Sequence, residues 1–403
     1  MTMLVATASR GEASTVAPVR QLDIPSRTWI ARPYNTPNAP AAGYTGKGGG
    51  SKHLRAAQNL LNGKVYFAGG DYQSNVHSWL GVWSYDPITN KWELEYPHCG
   101  FAGEIMPAGM DEVGWVWDSK RSVFWMLPGY TVVGGPGNNV PRCPGGATQT
   151  QAILTFDPVA KKWSNPGVAP EPIAGQKPKN AIYDPRTDSI YRAGTDPRGN
   201  IWTVYHIAEN RWEVYQTVAA GNTYVNDIDL GFEYLAADTI GRKIYAIDPI
   251  MYRLFAFDMD KHTVSIKAPI PELNPERVRL ARQTRQRPYI WQDFTMPVFD
   301  SFNRVLLFPY IDETSRPKLL IYTPTTDTWE IDKMYQPERR EVRGNTAVFL
   351  PSHNAMMVLG GLQIEGDIDP SVTHFFLYRY SNDKEAPAPR APPSSERKPA
   401  PEQ

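Results

Sequence analysis

The 403-residue sequence has little of what several classes of protein require. It contains two cysteines, too few to build a framework of disulfides. Its formal net charge is zero, so no overall field recruits nucleic acid or an anionic membrane. No apolar run approaches the roughly 18 residues that a membrane-spanning helix needs, so we predict no membrane span. These absences favour a globular protein with a large core, since 41% of the residues are hydrophobic.

Signals for targeting and for cofactor binding are also missing. The start of the chain lacks the basic region and long apolar core of a secretory signal, so we expect a cytoplasmic location. Residues 46–52 contain the glycines and lysine of a phosphate-binding loop without its spacing. The Gly-x-Ser-x-Gly motif of serine hydrolases is absent as well. We therefore predict no cofactor.

What the chain does contain is a fragment that returns about every 50 to 70 residues, which indicates a repeat architecture. Each copy has an aromatic residue, a short polar turn often begun by Asp-Pro, and a tryptophan seven positions after the aromatic. The aromatic residues are Tyr85, Phe156, Tyr205, Phe257 and Tyr322, and they are followed by Trp92, Trp163, Trp212, Val264 and Trp329. The constant spacing predicts a hairpin between two strands in every copy.

A second hairpin precedes each of these units, as the Asn-Gly turn at positions 62–63 illustrates. Each copy is therefore a four-stranded sheet with strands a to d, and six copies can bury their faces when arranged radially. The sixth copy lacks its own tryptophan strand, and we predict that an N-terminal strand around Trp29 supplies it and closes the ring. The prediction is an all-β, six-bladed propeller over residues 20–382. The N-terminal tail, 1–19, and a Pro-rich tail, 383–403, lie outside it, and the Pro-rich tail is expected to be disordered.

Double glycines end the second strand in three copies, at positions 69–70, 134–135 and 360–361. Together with the aromatic residue and the tryptophan, they make the chain resemble the kelch repeat family over nearly its whole length, excluding both tails. The resemblance implies a kelch-type β-propeller. This family includes scaffolds, ligase adaptors, sugar-processing enzymes and copper oxidases such as galactose oxidase, so the resemblance does not imply a single chemistry.

The long connections of the chain all fall on one predicted face, formed by the b–c and d–a loops. The start of each a strand should place one charge per blade around the channel mouth on that face. These charges are Arg55, Glu112, Lys179, Glu233, Asp293 and Arg343. With Tyr72 and Trp115 nearby, the ring would bind a small polar ligand, a sugar or a peptide, or it would only hydrate the channel.

Arginines are concentrated in two consecutive d–a connections. Arg279 and Arg282 belong to the first, and Arg340 to the second. Because arginine binds carboxylates and phosphates through two parallel hydrogen bonds, these positions predict an acidic peptide or protein partner. Nucleic acid is not expected, because acidic residues interrupt the basic run and the net charge is zero.

The two cysteines should lie near each other on the same face. Cys99, Cys143, His77 and His98 all fall in connections of the first two blades. Free thiols, a disulfide and a soft metal site are the alternatives, although the spacing in sequence does not match a known set of metal ligands.

Two functions follow from these observations. The first is a non-catalytic recognition or scaffold module that binds a protein or peptide on the face formed by the b–c and d–a loops. The alternative is an enzyme that acts on a small polar or sugar-like ligand at the channel mouth, with or without a metal, with Glu112 or Glu233 as the acid or base.

Overall fold

The computed structural model describes the strands of the chain and the short turns between them. The described residues are 21–33, 54–69, 81–97, 110–111, 113–127, 130–131, 152–168, 181–196, 199–216, 235–248, 253–271, 296–311, 317–333, 346–359 and 374–381.

Six four-stranded antiparallel sheets form the six blades of a β-propeller, as the sequence predicts. Blade 1 contains β2 (Leu54–Gln58), β3 (Val65–Gly69), β4 (Gly81–Asp86) and β5 (Lys91–Pro97). Blade 2 contains β7 (Gly114–Asp118), β8 (Val123–Leu127), β10 (Ala152–Asp157) and β11 (Lys162–Val168), with the small pair β6 (Met110–Asp111) and β9 (Tyr130–Thr131) beside it. Blade 3 contains β12 (Ile182–Asp184), β13 (Ser189–Asp196), β14 (Gly199–His206) and β15 (Arg211–Gln216).

The second half of the ring follows the same plan. Blade 4 contains β16 (Leu235–Asp238), β17 (Lys243–Asp248), β18 (Arg253–Asp258) and β19 (Val264–Ile266). Blade 5 contains β20 (Val298–Asp300), β21 (Val305–Ile311), β22 (Pro317–Thr323) and β23 (Thr328–Lys333). Blade 6 contains β24 (Thr346–Leu350), β25 (Ala355–Leu359), β26 (His374–Arg379) and β1 (Thr28–Pro33), with one 3-10 turn at Pro351–His353.

The N-terminal strand closes the last blade. β1 pairs with β26, and Trp29 lies opposite Tyr378 with ring centroids 4.6 Å apart. The repeated aromatic and tryptophan residues of the other blades face each other in the same way, as Tyr85 and Trp92 do at 4.8 Å. The predicted closure by the strand around Trp29 is therefore confirmed. In the other blades, the spacing of seven between the aromatic residue and the tryptophan marks two residues that lie opposite each other on neighbouring strands.

Blade 4 shows what happens where the tryptophan is missing. Val264 still lies opposite Phe257, but β19 has only three residues and Ile266 is exposed. A valine covers less of the blade surface than an indole, so less apolar contact holds the outer strand.

The apolar core lies between the blades. Among the described residues there are six buried clusters, and each combines residues of two neighbouring blades. The cluster between blades 6 and 1, for example, joins Leu350 and Leu377 to Val65 and Phe67. No helix of the described part of the chain is long and apolar enough to cross a membrane.

Candidate recognition face

Short hairpins occupy one face of the ring, which we call the turn face. Its inner turns join strands a and b, and its outer turns join strands c and d. Each of these turns has its fifth residue in the left-handed region of the backbone. Those residues are Gly63, Asn90, Ser122, Lys161, Asp188, Asn210, Arg242, His262, Arg304, Asp327 and Asn354. The first residue is usually Asp, and its carboxylate accepts hydrogen bonds from main-chain N–H groups two and three positions on, as Asp118 does.

The inner turns are joined to one another around the ring. Arg121 of blade 2 donates two hydrogen bonds to Asp188 of blade 3, at 2.7 and 2.6 Å, and this contact lowers the pKa of Asp188. Arg242 of blade 4 forms an ion pair with Asp184 of blade 3. Arg304 of blade 5 forms an ion pair with Asp238 of blade 4. Here burial of the carboxyl outweighs the arginine and raises the pKa of Asp238.

The ring of inner contacts continues through neutral groups. Asn303 of blade 5 donates from Nδ2 to Oδ1 of Asn354 in blade 6 at 3.4 Å. The Nε2 atom of His353 in blade 6 lies 3.2 Å from the main-chain oxygen of Gly63 in blade 1. In blades 2 to 6, the inner turns thus hold a neighbouring blade through the side chain of the left-handed residue or of the residue before it.

The outer turns repeat this arrangement. The ammonium group of Lys161 in blade 2 lies 2.8 Å from Glu95 and 3.1 Å from Glu93 on β5 of blade 1. Lys161 is the main reason that the pKa of Glu93 is lowered. The ring of His262 in blade 4 packs on Tyr215 of β15 with centroids 3.8 Å apart. Outer turns, like inner turns, therefore carry side chains that join neighbouring blades.

The opposite face, which we call the loop face, carries the other connections. The long intervals between described strands there cover residues 34–53, 70–80, 98–109, 132–151, 169–180, 217–234, 272–295, 334–345 and 360–373. The b–c intervals of blades 3, 4 and 5 are short, at 197–198, 249–252 and 312–316. The assignment of the long connections to a common face follows from the strand order, as the sequence analysis expects.

Arg55 lies on β2, at the end of the inner strand that meets the loop face. Its side chain is buried, and Nη1 lies 3.7 Å from the Sδ atom of Met296, which precedes β20. Blades 1 and 5 are not neighbours in the ring, so this contact crosses the inner ring past blade 6. Arg55 thus connects two blades, and its role in binding stays a prediction.

Trp115 is buried between blades 1 and 2. The indole is buried, stacks on Phe124 with an interplanar angle of 3°, and donates from Nε1 to the main-chain oxygen of Tyr66 at 3.1 Å. These contacts place it in the apolar cluster between blades 1 and 2. The side chain therefore helps to join blades 1 and 2. Its role in binding stays a prediction.

The other predicted site residues lie outside the described residues, so their roles stay predictions. They are Glu112, Lys179, Glu233, Asp293, Arg343, Arg279, Arg282, Arg340, Tyr72, His77, His98, Cys99 and Cys143. Within the described ranges, no group of three or more His, Cys, Asp or Glu side chains could hold a metal ion.

Sequence reasoning missed a fully buried arginine. Arg192 lies in the middle of β13, and burial lowers the pKa of its guanidinium to about 9. Its guanidinium lies 5.9 Å from the ring centroid of Trp212, on the side of blade 3 that faces blade 2. The signal in the sequence is an arginine at a central position of an apolar strand, between Tyr191 and Ala193.

Blade 3 also brings a serine, a histidine and a glutamate into contact. Oγ of Ser189 lies 3.1 Å from Nδ1 of His206, whose Nε2 lies 3.3 Å from Glu213. A catalytic triad needs a hydroxyl that a substrate carbonyl can reach. Ser189 is completely buried at the turn-face end of β13, so this arrangement holds strands b, c and d together rather than forming an active site.

Comparisons with known proteins give similarity in fold. No family model matches the sequence, and no curated protein does. Among solved structures, a luciferin-regenerating enzyme is 12% identical, with a TM-score of 0.49 over 87% of this chain and 95% of that one. Regucalcin from Agrobacterium tumefaciens, a calcium-binding protein, is 9% identical, with a TM-score of 0.47 over 80% and 88%. A streptogramin B lyase is 8% identical, with a TM-score of 0.45 over 87% and 97%.

Similarity at this level concerns the architecture alone. The three proteins have different functions, and none of those functions transfers to this chain. The kelch resemblance is not matched by any family model and stays a prediction.

Proposed function

We propose that the protein is a recognition module that binds a protein or peptide on its loop face. The observation that carries this proposal is the difference between the two faces. On the turn face, side chains such as Arg121, Arg242 and Lys161 are committed to neighbouring blades. The long connections of the chain all belong to the loop face, and long connections on a rigid scaffold are where binding residues concentrate.

The charge of the loop-face sequence suggests the partner. Arg279 and Arg282 lie between β19 and β20, and Arg340 lies between β23 and β24. Both connections flank blade 5, so the two basic segments leave neighbouring points of the ring. Arginine forms paired hydrogen bonds with carboxylates, which makes an acidic peptide the partner that fits this composition.

The contact between Arg55 and Met296 favours a binding surface over a deep pocket in the channel. A buried side chain that crosses the inner ring restricts the entry of a small ligand along the axis. An extended peptide lying across the connections does not require that entry, whereas catalysis by Glu112 or Glu233 at the channel mouth does.

The test is binding of a fluorescent acidic peptide to the triple variant Arg279→Glu, Arg282→Glu and Arg340→Glu, measured by anisotropy. Loss of three charge-assisted contacts should raise the Kd by about a hundredfold or more. The matched control is Lys91→Glu, Lys162→Glu and Arg186→Glu, which makes the same charge change with exposed turn-face residues. Equal weakening by both variants, or none by the first, would contradict the proposal.

A further inference from the structure

The chain leaves blade 6 by an inward route. Ser381, the last described residue, follows β26, at the point where another blade would turn outward into its strand d. Its main-chain oxygen instead accepts hydrogen bonds from Nδ2 of Asn354 at 2.8 Å and Nδ2 of Asn303 at 3.4 Å. Both asparagines belong to inner turns, of blades 6 and 5. Residues 382–403 therefore begin between two inner turns of the turn face.

Apolar residues of the inner turns are concentrated around the same point. In blades 4, 5, 6 and 1 these residues are Ile240, Phe302, Pro351, Leu60 and Leu61, which we call the apolar arc. The inner turns of the other two blades contribute only Pro185, in blade 3. The exposed fraction is 66% for Ile240, 41% for Leu60 and 44% for Leu61. The third turn position, which holds Leu61, Ile240 and Phe302 in this arc, is charged in blades 2 and 3. There it holds Lys120 and Arg186.

The arc is therefore centred on the exit of the chain. Blades 5 and 6, which hold Ser381, are its two middle members, and blades 4 and 1 are their outer neighbours. A single exposed aliphatic side chain in a turn is ordinary. Here exposed aliphatic side chains lie on both sides of a chain exit, in blades 4 and 1, and the two blades between them add the half-buried Phe302 and the exposed Pro351. This arrangement points to an occupant.

We propose that residues 382–403 lie along the apolar arc of their own chain. This segment is rich in proline and alanine, whose rings and methyl groups can cover aliphatic side chains. An extended proline-rich chain rises about 3.1 Å per residue, so the segment is long enough to pass several blades that are roughly 10 Å apart. Because the segment is tethered at Ser381, its effective concentration is in the millimolar range, and a weak contact is enough.

With residues 382–403 docked on the apolar arc, this part of the turn face would be covered and other molecules could not bind to it. The loop face would then be the surface left for a partner. This inference does not depend on the proposed function, since it concerns the opposite face, and either can fail without the other.

The direct test is photocrosslinking within the full chain. A benzophenone amino acid replaces Leu61, and the same substitution of Val159 serves as the control. Val159 is 90% exposed in an outer turn of blade 2, away from the arc. We expect crosslinks from position 61 to peptides of residues 382–403 of the same chain, and few from position 159. Crosslinks to a second copy, or equal yields at the two positions, would overturn the proposal.

Limited proteolysis gives a second measurement that does not need the probe. Trypsin cleaves after Arg390 and Arg397, and the rate follows the fraction of time that the segment is undocked. Leu61→Glu combined with Ile240→Glu should speed this cleavage about threefold or more, because both side chains are exposed and the fold is retained. Val159→Glu should leave the rate unchanged. An unchanged rate in the double variant would reject docking on this arc.

Discussion

At the scale of single residues, the fifth residue of each turn decides whether the hairpin makes a contact within its own blade or with a neighbouring blade. The fifth turn residue adopts a left-handed backbone, which directs its side chain towards its own strand or towards the next blade. Tyr85 donates to Oδ1 of Asn90 at 3.0 Å, and Tyr205 donates in the same way to Asn210. Where the aromatic residue is Phe156, the fifth residue is Lys161, which contacts the preceding blade instead. The two positions vary together within the chain because a phenol needs an acceptor and a phenyl ring does not.

The first prediction concerns this pair. Tyr85→Phe should lower the free energy of unfolding by about 1 kcal/mol, the usual net value of one such hydrogen bond. A double-mutant cycle with Asn90→Gly isolates the bond, because glycine keeps the left-handed conformation without an acceptor. Denaturant midpoints of the four proteins measure the coupling. Additive effects of the two substitutions would show that the bond contributes nothing.

The second prediction concerns the pH dependence of Asp188. Its pKa is lowered in the folded protein, chiefly by the hydrogen bonds from Arg121. A carboxyl with a lowered pKa stabilises the fold at pH values above its unfolded pKa, near 3.9, and this stabilisation is lost as the pH falls through the folded pKa. Asp188→Asn should therefore lower the thermal midpoint at pH 7, and the difference from wild type should shrink as the pH falls below the unfolded pKa.

The control for this measurement is Asp157→Asn. Asp157 accepts hydrogen bonds from main-chain N–H groups of its own turn, at Val159 and Ala160. Loss of its charge should not remove a contact between blades. A constant difference between Asp188→Asn and wild type from pH 7 to pH 3 would contradict the assigned role of the ion pair.

At the scale of strands and hairpins, the sequence predicts the fold because its signals are local. The aromatic residue and the tryptophan that meet across β4 and β5 are seven positions apart, so their spacing is visible in the chain. The contacts between blades are not local. Arg121 and Asp188 are separated by 67 positions, and nothing near either residue identifies the other. The contact of Trp115 with the main-chain oxygen of Tyr66, in another blade, is likewise invisible in the local sequence.

One arginine connects the N-terminal segment, whose strand β1 closes the ring, to the rest of blade 6. Arg379 is buried and donates to the main-chain oxygens of Leu22 and Ile24 at 2.8 Å, and also to those of His353 and Asn354. Leu22 and Ile24 are thereby held in the apolar cluster between blades 6 and 1. The guanidinium thus joins the segment before β1 to the end of β26.

The third prediction tests this junction. Arg379→Lys should lower the free energy of unfolding by about 2 kcal/mol or more, because a lysine cannot reach four carbonyl oxygens at once. Hydrogen exchange of residues 22–33 should become faster, while exchange of β2 and β3 stays unchanged. Arg211→Lys, on the exposed surface of β15, is the control and should leave both segments unchanged. Faster exchange over the whole chain in Arg379→Lys would point to a global effect.

At the scale of the whole molecule, the ring works as one body because each blade is bound to its neighbours twice. Apolar clusters join the blades through the core, and the inner and outer turns join them on the turn face. Blade 6 differs from the other blades because its strands come from two segments that are far apart in the chain.

The fourth prediction compares two deletions at the N-terminus. Removal of residues 1–33 takes away β1, Leu22, Ile24 and Trp29, so blade 6 is left with three strands and an exposed edge on β26. We expect this protein to lose its cooperative thermal transition and to associate in light scattering. Removal of residues 1–20 keeps all of these contacts and should leave the thermal midpoint within about 2 °C of that of the full chain. A synthetic peptide of residues 21–33 should restore the transition of the longer deletion, because it supplies the missing strand with its tryptophan. A cooperative transition in the longer deletion without the peptide would mean that the ring does not depend on its N-terminal strand.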